Sequence, residues 1–389
     1  MKEPSLPPYT AQGEVRRGAI RENKMSNITP EKMRFWSPDV RELDPYVPGE
    51  QPKIQNILKL NTNENPYPPS PNIVAAVQAV LENSADALRL YPDPDATALK
   101  QAIAKQQNVD VENVFVGNGS DEVLAHIFKA FFVQEKPILY PDITYSFYPV
   151  YSQFFGISAK TKILPLNDDF EIEVGDYKQP NGGIIITNPN APTSISLGLA
   201  EIEEVLQANP DSVVVIDEAY VDFGTESAVS LVTKYENLVV CQTTSKSRSL
   251  AGLRVGFAIA QPHLIAALEA VKNSFNSFPI DRFAIAAGVA SFEDQDYFEA
   301  QCQKVIACRD KLTHELETLG FKVLPSKANF IFASLPSKDA GELTKELRER
   351  GIIVRYFNKP RINQFLRITV GTDEQNQRLV DTLKNDILA

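Results

Sequence analysis

Short aliphatic and β-branched runs recur between residues 113 and 260, most of them separated by stretches long enough for a helix, and this alternation permits few folds. The run Val213-Val214-Val215-Ile216 has no polar side. Alternate side chains of a strand point to opposite faces, so such a run must be covered on both, as in a parallel sheet flanked by helices. Similar runs at 113–116, 137–140, 183–187, 212–216, 238–242 and 256–260 predict six strands. Amphipathic stretches at 121–132 and 199–207 supply crossover helices. Past residue 280 the pattern changes. Helical periodicity over 283–319, broken at 293–296, precedes strand-like 329–333, a helix at 338–350, strands at 352–356 and 365–370, and a helix from Asp373. The expected fold class is therefore α/β, with a large domain built on a mostly parallel central sheet flanked by helices and a smaller α+β C-terminal domain.

Length agrees, since 389 residues suggest about two or three domains. Residues 1–28 are expected to be a disordered extension, with Met25 a candidate natural start. Residues 29–58 should form an arm against the small domain, 59–285 the large domain and 286–389 the small one. No apolar run approaches the roughly 18 residues that a membrane-spanning helix needs. Net charge is 39 − 50 = −11, which disfavours docking on nucleic acid or acidic lipid. Three cysteines, Cys241, Cys302 and Cys308, form no C-x-x-C pair and make an odd number, which excludes a secreted disulfide scaffold and points to a reducing, cytoplasmic setting. His126, His263 and His314 lack ligand spacing, so no metal site is expected.

Ligands of open parallel sheets bind at the carboxyl ends of the strands, which directs attention to four strand exits. After Val116 comes Gly117-Asn118-Gly119-Ser120-Asp121-Glu122, where free N–H groups at a helix start suit a phosphate, although ordinary helix capping looks the same. Neither G-x-G-x-x-G nor G-K-[ST] occurs. Thr187 leads into Asn188-Pro189-Asn190-Ala191-Pro192-Thr193-Ser194, by itself a rigid turn. Asp217-Glu218-Ala219-Tyr220 follows a buried run, so Asp217 must be paired there or else cap the next segment. After Gln242 comes Thr243-Thr244-Ser245-Lys246-Ser247-Arg248, with Arg254 eight positions past Lys246. Taken singly, Lys246 reads as a surface lysine; partly desolvated, it becomes a nucleophile. Together these groups are what pyridoxal phosphate requires: a lysine, an acid for the ring nitrogen, donors to the phenolic oxygen and a phosphate cup.

The sequence resembles the fold-type I pyridoxal-phosphate-dependent aminotransferases of class I and II, and among them the histidinol-phosphate branch. The resemblance is carried by Leu60-Asn61-Thr62-Asn63-Glu64-Asn65-Pro66-Tyr67, Gly119-Ser120-Asp121-Glu122, Asp217-Glu218-Ala219-Tyr220 and the segment from Ser245 to Gly256. It implies that Lys246 forms the Schiff base with pyridoxal 5′-phosphate and shuttles the proton, that Asp217 keeps the ring nitrogen protonated, and that Asn188 and Tyr220 bond the phenolic oxygen. Tyr145 would stack on the ring. Ser120, Asp121 through its backbone N–H, Ser245 and Arg254 would hold the phosphate, with Tyr67 contributed by the neighbouring subunit of a homodimer. Arg367 would grip the substrate, aided by Arg355 and Tyr46, with Asn188 beside it. The implied reaction joins histidinol phosphate and 2-oxoglutarate to imidazole-acetol phosphate and glutamate, in histidine biosynthesis. An aromatic amino acid aminotransferase is the alternative, with a threonine-phosphate decarboxylase or a non-catalytic pyridoxal-phosphate-binding protein more remote. The sequence departs from the family loop Asn-Pro-Asn-Asn-Pro-Thr-Gly at two places, where Ala191 and Ser194 replace the second amide and the glycine. Survival of Asn188 implies that the cofactor contact is kept, whereas a left-handed backbone at Ser194 would be strained.

Overall fold

The computed structural model describes residues 32–46, 49–51, 56–83 and 85–388. The extension expected over 1–28 lies outside them. The chain divides into two units, Met1–Pro45 and Tyr46–Ala389. Among the described residues, the first holds two short helical turns, Lys32–Phe35 and Pro38–Arg41. The latter starts at Ser37, whose Oγ accepts the Val40 N–H.

The second unit is built on two sheets. The larger contains β2 (Val114–Asn118), β3 (Ile138–Pro141), β4 (Thr161–Leu164), β5 (Gly183–Thr187), β6 (Val214–Asp217), β7 (Leu238–Thr243) and β8 (Val255–Ala260), in the order β2-β8-β7-β6-β5-β3-β4. β3, β4, β5, β6 and β7 are parallel to their neighbours in this set. β8 runs antiparallel to both β2 and β7. The expected parallel sheet is present, with seven strands instead of six. β4 escaped detection because it is an edge strand with Lys162 and Ile163 exposed, so it lacks the continuous apolar run that marks the central strands.

Burial on both faces explains those runs. Val214 and Ile216 belong to the core layer that contains Leu99, Ile103, Ile202 and Leu206; Val215 belongs to the opposite layer with Leu124, Phe128, Tyr148 and Leu268. Each fully buried aliphatic side chain contributes roughly 1.5–3 kcal/mol, so every interior position of the strand favours the same two-sided arrangement.

The smaller sheet contains β1 (Leu58–Leu60), β9 (Lys322–Val323), β10 (Phe330–Ser334), β11 (Ile352–Tyr356) and β12 (Leu366–Thr369), in the order β1-β11-β12-β10-β9. β1 is parallel to β11 and the other pairings are antiparallel. Its core joins Leu58 and Leu60 to Leu343, Leu347, Ile352 and Leu379, from the helices Ala340–Glu349 and Asp373–Thr382. The long helical stretch resolves into Arg282–Glu293 and Gln295–Thr318, with the break at Asp294. Among the described residues no helix is long and apolar enough to cross a membrane.

Candidate active site

Four strand exits and one strand entry converge on a single cavity of about 320 Å3. β2, β5, β6 and β7 deliver Ser120, Thr187, Asp217 and Ser245 with Lys246 at their carboxyl ends. Because β8 is antiparallel, its first residue lies at that same edge, and Arg254, immediately before it, joins them. The register pairs Gly256 with Thr243 on one side and Gly117 on the other.

Lys246 is the centre of the site. Its Nζ donates to the Thr62 carbonyl at 3.1 Å and lies 6.0 Å from the centroid of the Tyr220 ring. Burial, assisted by the Arg367 charge, lowers its pKa to about 8. Asp217 is buried at the end of β6, where desolvation raises its carboxyl to about 6. Tyr148 Oη opposes that rise by donating to Oδ2 at 2.8 Å, and lies 2.7 Å from the Thr187 hydroxyl. Tyr148 went unnoticed in the sequence. The only available signal was its position three residues after Tyr145, at the start of the short helix Tyr148–Phe154.

The helix Gly119–Ile127 opens on the cavity, with Ser120 and Asp121 in its first turn. Gly119 has φ +81, and a Cβ there would fall 2.4 Å from Arg254 Nη2; one on Gly256 would fall 2.3 Å from the Ser120 backbone nitrogen. The two glycines thus let a guanidinium, a strand and a helix N-terminus close around a small space, which suits a phosphate. The Asp121 carboxylate is itself engaged, accepting from Tyr145 Oη at 2.8 Å and facing Arg254 Nη2 at 3.2 Å. Burial, then the Asp121 charge, pushes the Tyr145 phenol well above its usual range. Ser245 is buried and accepts the Thr243 hydroxyl at 3.0 Å.

On the other wall, Arg367 of β12 stands opposite Arg355 of β11 in register. Arg367 donates to the Asn61 carbonyl at 3.0 Å and lies 5.3 Å from the Phe330 ring centroid. Among the described residues its buried Nε has no hydrogen-bond partner, and burial lowers its pKa. Tyr46 also lines the cavity, with its ring 4.8 Å from that of Phe147.

Two predicted residues are turned elsewhere. Tyr67 Oη lies 3.4 Å from Cys308 Sγ and does not line this cavity. Asn188 requires a correction to the expectation that it faces the cofactor. Its Nδ2 donates to the Leu197 carbonyl at 3.2 Å and its Oδ1 accepts the Leu197 N–H at 2.8 Å, so both ends of the amide are spent on holding the loop. The Asn190 Nδ2 donates to the Ile143 carbonyl at 2.9 Å and to Thr193 Oγ1 at 2.8 Å, and the loop residue that lines the cavity is Ala191. Despite lacking the family's glycine, Ser194 adopts a left-handed backbone at φ +68, held by its N–H on the Asn190 carbonyl at 2.8 Å and by the Lys327 N–H on its own carbonyl at 3.0 Å.

A half-buried lysine and a buried acid lining one cavity, a phosphate-sized cradle and two arginines on the facing wall form the donor set that pyridoxal phosphate and an anionic substrate need. Comparison with known proteins agrees. The family model "Aminotransferase class I and II" matches residues 55–383. A histidinol-phosphate aminotransferase of Acinetobacter baumannii (strain SDF) is 82% identical over 361 residues, 93% of this chain and 99% of that protein. One named histidinol-phosphate aminotransferase 2, from Dechloromonas aromatica, is 63% identical over 90% of this chain and 98% of its own length. Among solved structures, the histidinol-phosphate aminotransferase of Sinorhizobium meliloti in complex with pyridoxal-5′-phosphate superposes with a TM-score of 0.77 at 23% identity, covering 90% of this chain and 96% of that one. With matches spanning nearly its whole length, the chain belongs to the class I and II aminotransferases, in their histidinol-phosphate aminotransferase family.

Proposed function

We propose that the protein transfers an amino group between histidinol phosphate and 2-oxoglutarate, giving imidazole-acetol phosphate and glutamate, in histidine biosynthesis in the cytoplasm. The reading is carried by one observation: a lysine with its pKa lowered to about 8 shares one cavity with a buried carboxylate and with the facing pair Arg355 and Arg367. High identity to proteins named for this activity supports the substrate.

Pyridoxal phosphate, when bound here, supplies a conjugated electron sink for the charge left at the substrate α-carbon after its proton departs. The chain's residues do the rest. Asp217 holds a proton on the ring nitrogen by presenting an anion in a desolvated place. Ser120, Ser245, Arg254 and the N–H groups of the helix opening at Gly119 hold the cofactor phosphate. Lys246 would hold the cofactor through its Nζ and move the α-proton, a role that requires a neutral amine and so benefits from the lowered pKa. Arg367 presents a planar fork that grips a carboxylate or phosphate through two parallel hydrogen bonds, with Arg355 adding charge beside it. Tyr145 and Tyr46 close the cavity from the side of Phe147.

The division into a large domain over 59–285 and a small domain over 286–389 belongs to the same proposal, as does a homodimer in which Tyr67 serves the neighbouring site. Tyr67 is turned out of its own cavity, and the exposed rings of Tyr91, Phe275 and Phe278 suit cover by a second copy. Sedimentation as a monomer would remove the dimer. For the reaction, purified protein is assayed with pyridoxal phosphate and 2-oxoglutarate against histidinol phosphate and phenylalanine. Faster turnover of histidinol phosphate is expected. Preference for phenylalanine would make it an aromatic amino acid aminotransferase, and release of carbon dioxide a decarboxylase.

A further inference from the structure

Resting on the cofactor assignment above, we propose that Tyr220 holds the cofactor's phenolic oxygen without help from the 188–194 loop, and that Asn63 is the positioning residue that keeps the Tyr220 O–H available for that contact. The phenolic oxygen is bonded to the ring carbon next to the one bearing the aldehyde that Lys246 captures, so its donors must stand beside Lys246 Nζ. Tyr220 stands there, 6.0 Å from Nζ to ring centroid. The loop offers only the methyl group of Ala191, because the Asn188 amide is bonded to the Leu197 backbone and the Asn190 Nδ2 to the Ile143 carbonyl and Thr193.

Asn63 decides how the tyrosine is used. A phenol has one proton and two lone pairs. The Asn63 Nδ2 donates to Tyr220 Oη at 3.0 Å, which occupies a lone pair and leaves the proton for another acceptor. The amide is pinned in that sense by Thr369, whose Oγ1 accepts the Asn63 N–H at 3.0 Å and donates to Asn63 Oδ1 at 3.2 Å. Asn329 Nδ2 holds the Asn63 carbonyl at 3.0 Å. Asn63 lies at φ +55, a left-handed backbone that asparagine tolerates better than most residues, so the chain adopts an uncommon conformation to aim this amide.

The consequence is electrostatic. With the cofactor held by Lys246, its ionised phenolic oxygen would lie next to the nitrogen that Lys246 contributes, and donors to that oxygen would lower the nitrogen's affinity for a proton. The other charged or titratable groups acting on Tyr220 and Lys246 are Asp217, Arg367, Tyr46, Glu64, Asp121 and Arg254, and the variants below leave all of them in place.

The test is an absorbance titration of the bound chromophore in reconstituted holoprotein. Asn63→Ala is expected to raise the chromophore's pKa by about one unit, Tyr220→Phe by at least as much, and the double variant no further than Tyr220→Phe alone. Ala191→Asn restores a loop amide and should lower it; Asn188→Ala should not move it. Should Asn63→Ala fail to fold, Thr369→Val reads the same relay. An Asn63 effect that adds fully to that of Tyr220, an unchanged pKa in Asn63→Ala, or an Asn188→Ala shift as large as that of Tyr220→Phe overturns the inference. Absence of any chromophore in the unaltered protein sinks the cofactor assignment and this inference with it, whereas a chromophore that titrates identically in every variant overturns this inference alone.

Discussion

Replacing Tyr148 with phenylalanine measures how the Asp217 carboxylate, proposed above to pair with the cofactor's ring nitrogen, is kept ionised. Burial raises the Asp217 carboxyl to about 6 even though Tyr148 Oη, 2.8 Å from Oδ2, and the Ala219 backbone N–H both favour its charged form. A hydrogen bond to a charged group contributes roughly 1.5–3 kcal/mol, or about one to two pK units, so Tyr148→Phe moves Asp217 to roughly 7.5. The sign follows from a raised pKa: below it the carboxyl carries a proton that must leave before the ring nitrogen can be paired, so cofactor affinity falls as pH falls. The loss is the factor 1 + 10^(pKa − pH). Relative to the unaltered protein, the variant should bind pyridoxal phosphate about sixteenfold more weakly at pH 6, about fourfold at pH 7, and almost equally at pH 9. Hydrogen-bond loss occurs in both free and bound variant, and so enters only through this proton. Phenylalanine retains the packing against Phe128, Tyr140 and Tyr145. The assay is titration of apoprotein with the cofactor at each pH, followed by absorbance. A ratio that stays constant from pH 6 to 9 would refute the reasoning, since Tyr148 would then not act through the ionisation of Asp217.

Lys246→Ala should abolish turnover while still binding cofactor weakly, with borohydride fixing no adduct at position 246; steady-state turnover by this variant would remove the lysine from its role. Because burial lowers Lys246 to about 8, covalent capture of pyridoxal phosphate by the apoprotein should plateau above that pH and slow about tenfold per unit below it, a profile read by rapid mixing. Arg367→Lys keeps the charge but loses the planar fork, so KM for histidinol phosphate or glutamate should rise about tenfold or more, at roughly 1.5–3 kcal/mol for a charge-assisted bond; an unchanged KM would place the substrate anion elsewhere. Gly256→Ala drives a Cβ against the Ser120 backbone nitrogen, 2.3 Å away. Overpacking of about 1–3 kcal/mol should then appear as a lower denaturation midpoint together with weaker cofactor binding.

What the sequence made legible follows from how each feature is encoded. The central strands β5, β6 and β7 are buried on both faces, so burial wrote itself into consecutive aliphatic residues, and the site residues at their ends could be found by counting forward. Strands β1, β4 and β9 are short or lie at sheet edges, where one face or one neighbour is missing and the apolar signal is correspondingly thin. Reactive groups were legible for a second reason: a lysine or an acid beside a buried strand conflicts with its surroundings, and that conflict is visible without coordinates. Asn188 shows the limit of this logic. An asparagine in a loop at a strand exit satisfies the same pattern whether its amide meets a ligand or its own backbone, and only the paired bonds to Leu197 decide between them. The orienting roles of Tyr148, Asn63 and Thr369 were not legible because each acts on another side chain brought near by folding: 69 residues separate Tyr148 from Asp217, and 306 separate Asn63 from Thr369. The chain therefore announces the groups that do chemistry through local conflict, and conceals those that orient them, because an orienting residue has no conflict of its own until the sheet has assembled around it.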